Sequence, residues 1–235
     1  MKQLRIGHLY PKLLNIYGDG GNILALKKRY EWRGGEVIVN EINSGESISQ
    51  NDIYFIGGGQ DKQQIEVSRE LLANKEFLIS ERDRGAVFLG ICGGYQLFGH
   101  YYQPHNGEKL LGISLIDAYT VAGKERFIGN VTAETELFGK KMTLVGFENH
   151  SGLTYLQGET KPLGKILIGN GNNGADKTEG GHFKNVFGTY LHGSFLPKNP
   201  EFTDCLLELA TNEKLEPLDD KTEKNAHDAL IGKSY

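Results

Sequence analysis

The sequence predicts an α/β fold in which a mostly parallel sheet carries helices on both faces. Over the first 120 residues, short apolar runs alternate with amphipathic stretches, a pattern typical of strands that feed crossover helices. The run Val87–Ile91 is continuously apolar, as expected of a central parallel strand that is buried on both faces. Glycines follow two of these runs within two residues, which indicates tight turns at the ends of strands.

The elements of the first half follow from these patterns in chain order. We expect strands at Arg5–Leu9, Glu36–Ile42, Asp52–Ile56 and Val87–Ile91, and helices at Ile23–Trp32, Gln63–Asn74, Lys75–Arg84 and Tyr95–His100. Either Asn22 or Asp19 would cap the first helix, because both precede its apolar periodicity within a glycine-rich loop.

After about residue 110 the pattern changes to short strands between Gly/Asn turns, which predicts an antiparallel extension of the sheet. Its strands are expected at Phe127–Thr132, Met142–Phe147, Lys165–Ile168 and Asn185–Tyr190, with helices at Glu201–Ala210 and Lys221–Ile231. The sequence contains no repeat and no Pro/Ser-rich linker. We therefore predict a single domain over residues 1–235.

Composition excludes several classes of protein. The chain has 26 Lys+Arg against 30 Asp+Glu and a net charge of -4, which argues against a general nucleic-acid binder. Its 2 Cys cannot form a disulfide framework, and its His and Cys residues show no zinc-ligand spacing, so no metal is expected. The apolar run that ends at Cys92 is too short to span a membrane, and the N-terminus does not resemble a signal peptide. These features predict a cytoplasmic protein without membrane insertion.

The segment Gly90-Ile91-Cys92-Gly93-Gly94 is the sharpest chemical feature of the sequence. A buried strand ends, a reactive side chain follows, and a helix begins, which is the layout of a nucleophile elbow. The partial positive charge at the start of the helix favours the thiolate of Cys92, and the Gly93 amide would face an oxyanion. The alternative is a small cysteine buried in a glycine-rich turn.

A nucleophilic cysteine needs a base, and three histidines are candidates by context. His192 and His150 each follow a predicted strand, whereas His182 lies in a glycine-rich turn before one. Catalytic groups of α/β proteins collect at strand ends, which favours His192 most. Each histidine also has a purely structural interpretation.

Two other glycine-rich segments have features of anion sites. Gly57-Gly58-Gly59 follows a strand, so its amides could supply a second oxyanion donor. Gly169–Gly174 superficially resembles a phosphate loop but lacks the Lys-Ser/Thr that should follow, and a hairpin connection is expected instead. Cys205 shares an apolar helical stripe with Phe202, Leu206 and Leu209, which predicts a core position.

Several segments together resemble a known family. Gly-Ile-Cys-Gly-Gly after a buried strand, with a late strand-end histidine, resembles the class I (triad-type) glutamine amidotransferases, whose fold is flavodoxin-like. The blocks Gly146–Gly152 and Gly188–Gly193 are similar to those of the cobyric acid synthase-type branch. The segments Leu14–Asn22 and Phe55–Asp61 are most similar to the glutaminase subunits of lipid II isoglutaminyl synthases.

This resemblance implies glutamine hydrolysis through a thioester on Cys92, with His192 moving the proton. It also implies an oxyanion hole formed by the amides of Gly58 and Gly93. Arg126 would hold the α-carboxylate of glutamine, a role that suits its forked guanidinium. Gln96, in the first turn after the nucleophile, would be a further substrate contact.

Two departures from the family pattern shape the expected assembly. Triad-type relatives usually carry Glu two residues after the catalytic histidine, but Ser194 stands there. We expect a Cys92–His192 dyad that an acid from a partner completes or aligns. The sequence also has no phosphate loop, so ATP and Mg chemistry would belong to a MurT-like Mur ligase-type synthase. That partner would handle lipid II, and this chain would carry no cofactor.

The alternatives are an amidotransferase for another synthase, such as one for cobyrinate-type amidation, another cysteine hydrolase, and a non-catalytic scaffold subunit. The polar tail around Leu215–Tyr235 is a candidate docking surface for the partner.

Overall fold

The computed structural model describes residues 2–15 and 18–233. The first half contains β1 (Leu4–Leu9), α1 (Gly20–Glu31), β2 (Val37–Ile42), β3 (Ile53–Ile56), α2 (Asp61–Ala73), α3 (Lys75–Arg84), β4 (Val87–Ile91) and α4 (Gly93–Phe98). The second half contains β5 (Tyr101–Gln103), β6 (Leu110–Leu111), β7 (Ala118–Leu137), β8 (Lys140–Leu156), β9 (Gly164–Ile168), β10 (Thr178–Glu179), β11 (Gly181–Phe183), β12 (Val186–Thr189), α5 (Pro200–Thr211) and α6 (Lys221–Asp228).

The predicted α/β class with a mostly parallel sheet is confirmed. Its strand order is β2-β1-β3-β4-β12, all parallel, with β11 added antiparallel at the far edge. Alternate residues of these strands point to opposite faces, where Phe55 packs in the layer with α1 and α5 while Tyr54 packs in the layer with α2, α3 and α4. This order is that of flavodoxin-like folds, in which ligands bind beyond the carboxyl ends of the strands.

The antiparallel strands form a second sheet rather than a simple continuation of the first. Its order is β10-β9-β7-β5-β6, and β8 pairs with β7 in a long hairpin. The two sheets are linked by an antiparallel bridge between Phe147 of β8 and His192, just beyond β12. The hairpin therefore delivers one face of β8 to the end of the parallel sheet.

Most predicted elements are present, although the hairpin is much longer than the short strands we expected at Phe127–Thr132 and Met142–Phe147. Threonines, lysines and glutamates on its exposed face interrupt the apolar runs, so the sequence pattern indicates only part of each strand. The segment Gly169–Gly174 connects antiparallel strands β9 and β10, as predicted. Cys205 is buried in the core, as predicted.

Some predictions cannot be compared with the structure. Ile16 and Tyr17 of the opening motif, and Ser234 and Tyr235 of the polar tail, lie outside the described residues. Within residues 2–15 and 18–233, no helix has the length and apolar character needed to cross a membrane.

Candidate active site

Cys92 lies in the tight turn between β4 and α4. Its backbone has φ 49° and ψ −101°, a conformation that non-glycine residues rarely adopt. The Cys92 amide donates to the Thr189 carbonyl of the neighbouring strand at 2.9 Å, and the Cys92 carbonyl accepts from the Gln96 amide at 3.0 Å. The strained turn therefore sets the thiol at the carboxyl end of the sheet and at the start of a helix, as expected of a nucleophile elbow.

Glycines on either side allow this turn to form. A Cβ on Gly90 would lie 2.8 Å from the backbone of Gly94 and Tyr95, and one on Gly94 would lie 2.5 Å from the Ile56 carbonyl oxygen. Larger residues would push α4 away from β3 and β4. Gly93 is the first residue of α4, where amides have no acceptor within the helix.

His192 follows β12, the strand beside β4, and its backbone is fixed by the bridge to Phe147. Burial, together with smaller contributions from His150 and Arg126, lowers the pKa of His192 to about 3. The imidazole is consequently neutral at physiological pH, the state in which it can accept a proton.

Gly58 stands between the nucleophile and the candidate base. A Cβ placed on it would lie 3.2 Å from Cε1 of His192 and 3.4 Å from Cβ of Cys92. Gly58, Cys92 and His192, which follow β3, β4 and β12, thus lie close together. The topology explains this, because adjacent parallel strands end at the same edge of the sheet.

Cys92 and His192 line a cavity of about 460 Å³ at this edge. Other predicted site residues in its wall are Gly58, Gln96, Arg126 and His150. His182 is elsewhere, in a larger cavity of about 790 Å³ between the hairpin and β9 that contains neither Cys92 nor His192. The larger cavity therefore lacks the predicted chemistry.

Arg126 reaches the cavity from a bulge in β7. The register of the hairpin shifts between Ala122, which pairs with Gly152, and Phe127, which pairs with His150. Nε of Arg126 donates to Oδ1 of Asn149 at 2.6 Å, which orients the guanidinium. Because the side chain is exposed, its remaining N–H groups can bind an incoming carboxylate.

Gln96 is the predicted substrate contact on α4, and it belongs to a buried polar chain. Its Nε2 donates to the Tyr190 hydroxyl at 3.1 Å, and that hydroxyl lies 2.7 Å from Oγ1 of Thr154. A second threonine, Thr120, continues the chain at 2.8 Å. These bonds fix Gln96 with its amide in the cavity wall.

His150, the second candidate base, is held in place as part of the wall. Its Nδ1 is 2.8 Å from the Gly152 carbonyl, which it bonds as a donor, and its ring stacks on Tyr190 at 3.6 Å between centroids. Its Nε2 lies 3.9 Å from Oε2 of Glu148. Burial raises the pKa of Glu148, but the nearby His150 ring and hydrogen bonds from Asn170 and Gly171 outweigh it and hold that pKa below its usual range. Glu148 therefore supplies a buried negative charge behind His150.

Sequence reasoning missed Asp19 as a site residue. The sequence pattern indicates Asp19 only as a helix cap, and it does occupy the N-cap position of α1, but its side chain makes no cap bond. Its Oδ2 instead accepts the Gly58 amide at 2.6 Å. Burial raises the pKa of Asp19 to about 7, although the Gly58 hydrogen bond lowers it in part.

Gln64 and Ser194 also gain roles that the sequence did not indicate. Gln64, on α2, packs over Gly93 and donates to the Gly59 carbonyl at 3.1 Å. Ser194 occupies the position at which the family resemblance predicts Glu, and its Oγ donates to the Gly18 carbonyl at 2.6 Å. Ser194 thus fastens the turn after His192 to the loop that carries Asp19.

Among the side chains described, no group of three or more His, Cys, Asp or Glu residues has the arrangement of a metal site.

A polar cavity in which a strand-end cysteine lies close to a neutral histidine is typical of cysteine-dependent hydrolytic or transfer sites. Residues 5–200 match the family of CobB/CobQ-like glutamine amidotransferase domains, and the chain belongs to that family.

Two relatives are similar to this chain over most of its length. The chain is 44% identical to the lipid II isoglutaminyl synthase (glutamine-hydrolyzing) subunit GatD of Staphylococcus aureus, over 100% of this chain and 97% of that protein. It is 42% identical to the subunit of the same name from Streptococcus pneumoniae, over 90% of this chain and 82% of that protein.

More distant similarities concern a cobyric acid synthase and the fold. A cobyric acid synthase of Caldanaerobacter subterraneus is 29% identical over 78% of this chain, which spans 39% of that longer protein. Among solved structures, PurLQS from Thermotoga maritima matches with a TM-score of 0.60 at 14% identity, covering 98% of this chain and 100% of that one. That likeness concerns the fold alone.

Proposed function

We propose that this chain is the glutaminase subunit of a lipid II isoglutaminyl synthase. The observation that carries the proposal is the meeting of Cys92 and His192 at Gly58, in a chain 44% identical to a glutamine-hydrolysing subunit over its whole length. The ammonia would go to a MurT-like synthase, which would use ATP and Mg to amidate D-glutamate of the lipid II stem peptide.

In this mechanism the Cys92 sulphur attacks the side-chain amide carbon of glutamine while the thiol proton passes to His192. The C=O π bond opens to an oxyanion, for which the Gly93 and Gly58 amides are the proposed donors. Collapse of the tetrahedral adduct breaks the C–N bond, and His192 returns the proton to the departing ammonia. Water then hydrolyses the thioester, which releases glutamate and restores the thiol.

The neutral imidazole of His192 can accept the thiol proton, and the imidazolium that forms can return it to ammonia. A general base works best when its pKa lies near the operating pH, so the pKa of about 3 in the isolated chain is well below the optimum. The negative charge of a partner acid beside His192 would raise that pKa toward neutrality. Arg126 would bind the α-carboxylate of glutamine at the mouth of the cavity, and Gln96 would contact the substrate within it.

We further propose that a partner acid completes the dyad, because Ser194 occupies the position of the usual Glu and its hydroxyl faces Gly18. Glutamate release should then be faster in the complex than from the isolated subunit. Equal rates would contradict this part of the proposal. The complex would work on the cytoplasmic side of the membrane, where ATP is available.

Co-purification from the native cell, followed by mass spectrometry, tests the partner. The proposal predicts a Mur ligase-like chain, and the purified pair should convert D-glutamate of lipid II to D-isoglutamine with glutamine and ATP. Capture of a cobyrinate-type synthase would favour the second candidate, which the cobyric acid synthase relatives support. A complex that amidates only with free ammonia, and never with glutamine, would indicate a scaffold subunit.

A further inference from the structure

The bond between Asp19 and Gly58 raises a question about the oxyanion hole. The carboxyl group of Asp19 is fully buried, and its Oδ2 accepts the Gly58 amide at 2.6 Å. Its other oxygen, Oδ1, has no hydrogen-bond partner within the described part of the chain. Burying a carboxyl group with one oxygen unsatisfied is costly, so a purely structural role explains this side chain poorly.

Gly58 is the residue whose amide the mechanism needs. A Cβ placed on Gly58 would lie close to both Cys92 and His192, and it would also lie 3.4 Å from Oδ2 of Asp19. A backbone amide has one proton to donate. While the Gly58 amide donates to Asp19, it is not available to stabilise an oxyanion at Cys92.

The loop that carries Asp19 is held by polar contacts that can be exchanged. Ser194 donates to the Gly18 carbonyl, and the Gly20 amide donates to Oδ1 of Asn15 at 2.8 Å. The loop Gly57–Gly59 is fixed differently, because the Gly57 carbonyl accepts the Gly94 amide of α4 at 3.2 Å. Movement of the Asp19 carboxyl group could therefore free the Gly58 amide without displacing Cys92.

We propose that Asp19 is a latch on the oxyanion hole, which holds the Gly58 amide in the resting chain and must release it for glutamine hydrolysis. The inference rests on the proposed glutaminase function. Asp19 acts through Gly58 and is a positioning residue rather than a catalytic one. Ser194 links this latch to the turn that carries His192, so movement of either turn would reach the other.

Kinetics of the isolated chain with Asp19→Ala test the latch. An oxyanion donor acts in the transition state, so its release should raise kcat and leave the KM for glutamine within about twofold. Because one donor is worth about 10²–10³ in rate, we expect kcat to rise at least about tenfold. Asp19→Asn should give a smaller rise, since a neutral amide oxygen still accepts the Gly58 bond but less strongly.

Alkylation of Cys92 by iodoacetamide separates the latch from a simple charge effect. This displacement forms a C–S bond, expels iodide and creates no oxyanion, so its rate should change less than about twofold in Asp19→Ala. If alkylation and kcat rise together, the carboxylate acts on the thiol itself and the latch is wrong. Asp83→Ala, which removes an exposed aspartate of α3 outside the Cys92 cavity, is the matched control and should leave kcat unchanged.

Lower or unchanged kcat in both folded Asp19 variants would also overturn the latch. If the wild type itself hydrolyses no glutamine, alone or with its synthase, the proposed function fails and the latch fails with it. Wild-type turnover that is lost in Cys92→Ala, combined with no gain in the Asp19 variants, would refute the latch alone.

Discussion

Two clusters among the described residues place a histidine beside a side chain that can act as a nucleophile: Cys92 with His192, and Ser114 with His100. They differ in what surrounds the nucleophilic side chain. At the second cluster, Nδ1 of His100 lies 3.0 Å from Oγ of Ser114 and Nε2 lies 2.8 Å from Oδ1 of Asp117. Ser114 even has a positive φ of 56°, as Cys92 has. The order of groups is thus Ser–His–Asp, which by itself would suggest a hydrolase.

The surroundings of Ser114 argue against catalysis. The backbone amides around Ser114 already donate hydrogen bonds within the fold: Ser114 to Gly99, Ile116 to Phe98 and Asp117 to Thr160. These amides are therefore not available to an oxyanion. The His100 side chain is 39% exposed, whereas His192 is buried and neutral. At Cys92 a helix begins, and the Gly58 amide is held only by a side chain. Backbone amides that are not committed to main-chain hydrogen bonds, rather than a complete order of nucleophile, base and acid, therefore distinguish the candidate active site from the second cluster.

The largest predicted difference between the clusters is in their histidines. His192→Ala should lower kcat for glutamine hydrolysis by about 10²–10⁴, the usual contribution of a general base. His100→Ala should change it less than about twofold, because its hydrogen bonds lie away from the Cys92 cavity. Steady-state glutamate release measures both. Equal losses in the two variants would show that the clusters are not functionally distinct.

The next largest effect is expected on stability, from the buried carboxyl group of Glu179 behind the Cys92–His192 cluster. Burial raises the pKa of Glu179 to about 7, partly offset by hydrogen bonds from Thr189 and Tyr190 on the strand end that leads to His192. The folded pKa exceeds the ordinary value, so folding is penalised once pH rises above about 4.5 and fully above about 7. Glu179→Gln keeps both acceptor bonds and cannot ionise.

The Glu179→Gln variant should therefore gain stability over the wild type as pH rises from 5 to 8, by an amount on the order of 3 kcal/mol. Thermal or urea unfolding at several pH values measures it. A stability difference for Glu179→Gln that is constant across pH would contradict the assignment.

Arg126 tests whether the first cavity binds glutamine by its α-carboxylate. A charge-assisted, forked hydrogen bond is worth about 1.5–3 kcal/mol, so Arg126→Ala should raise KM by about 10–100-fold with a smaller effect on kcat. Lys124→Ala, an exposed neighbour on the same bulge, is the matched control. A variant in which only kcat falls would place Arg126 in the chemical step instead.

The smallest effect is expected at Ser114. Ser114→Ala should leave glutamate release within about twofold of the wild type, and a fluorophosphonate probe should not label the wild-type serine. Labelling at Ser114 in the folded protein would break the comparison, because it would show a second reactive nucleophile.

Local patterns in the sequence were enough to predict the elbow at Cys92 and the parallel strands. A buried strand, two glycines after the nucleophile and a short helix are all encoded within ten or so neighbouring residues. Burial on both faces made β4 a continuous apolar run, so its bounds were predicted correctly. In contrast, β5 and β6 are only 3 and 2 residues long, too short for any periodicity to show.

The rest of the site depends on contacts between distant parts of the chain. Asp19 and Gly58 are 39 residues apart, and nothing local in the sequence indicates that a helix-cap residue would turn away from its helix. Arg126 was identified only through the family resemblance, because a bulge in a long hairpin leaves no clear pattern in the sequence. His150 was a reasonable candidate base, but its stacking on Tyr190 is visible only in three dimensions.

The most direct test of the account is to trap the acyl-enzyme during turnover. The wild-type chain, quenched in acid while hydrolysing glutamine, should carry a γ-glutamyl group on the peptide that contains Cys92. The Cys92→Ala variant should carry none and release no glutamate, while Ser114→Ala should match the wild type. Glutamate release by Cys92→Ala at the wild-type rate, or a γ-glutamyl group on another residue, would contradict the central claim.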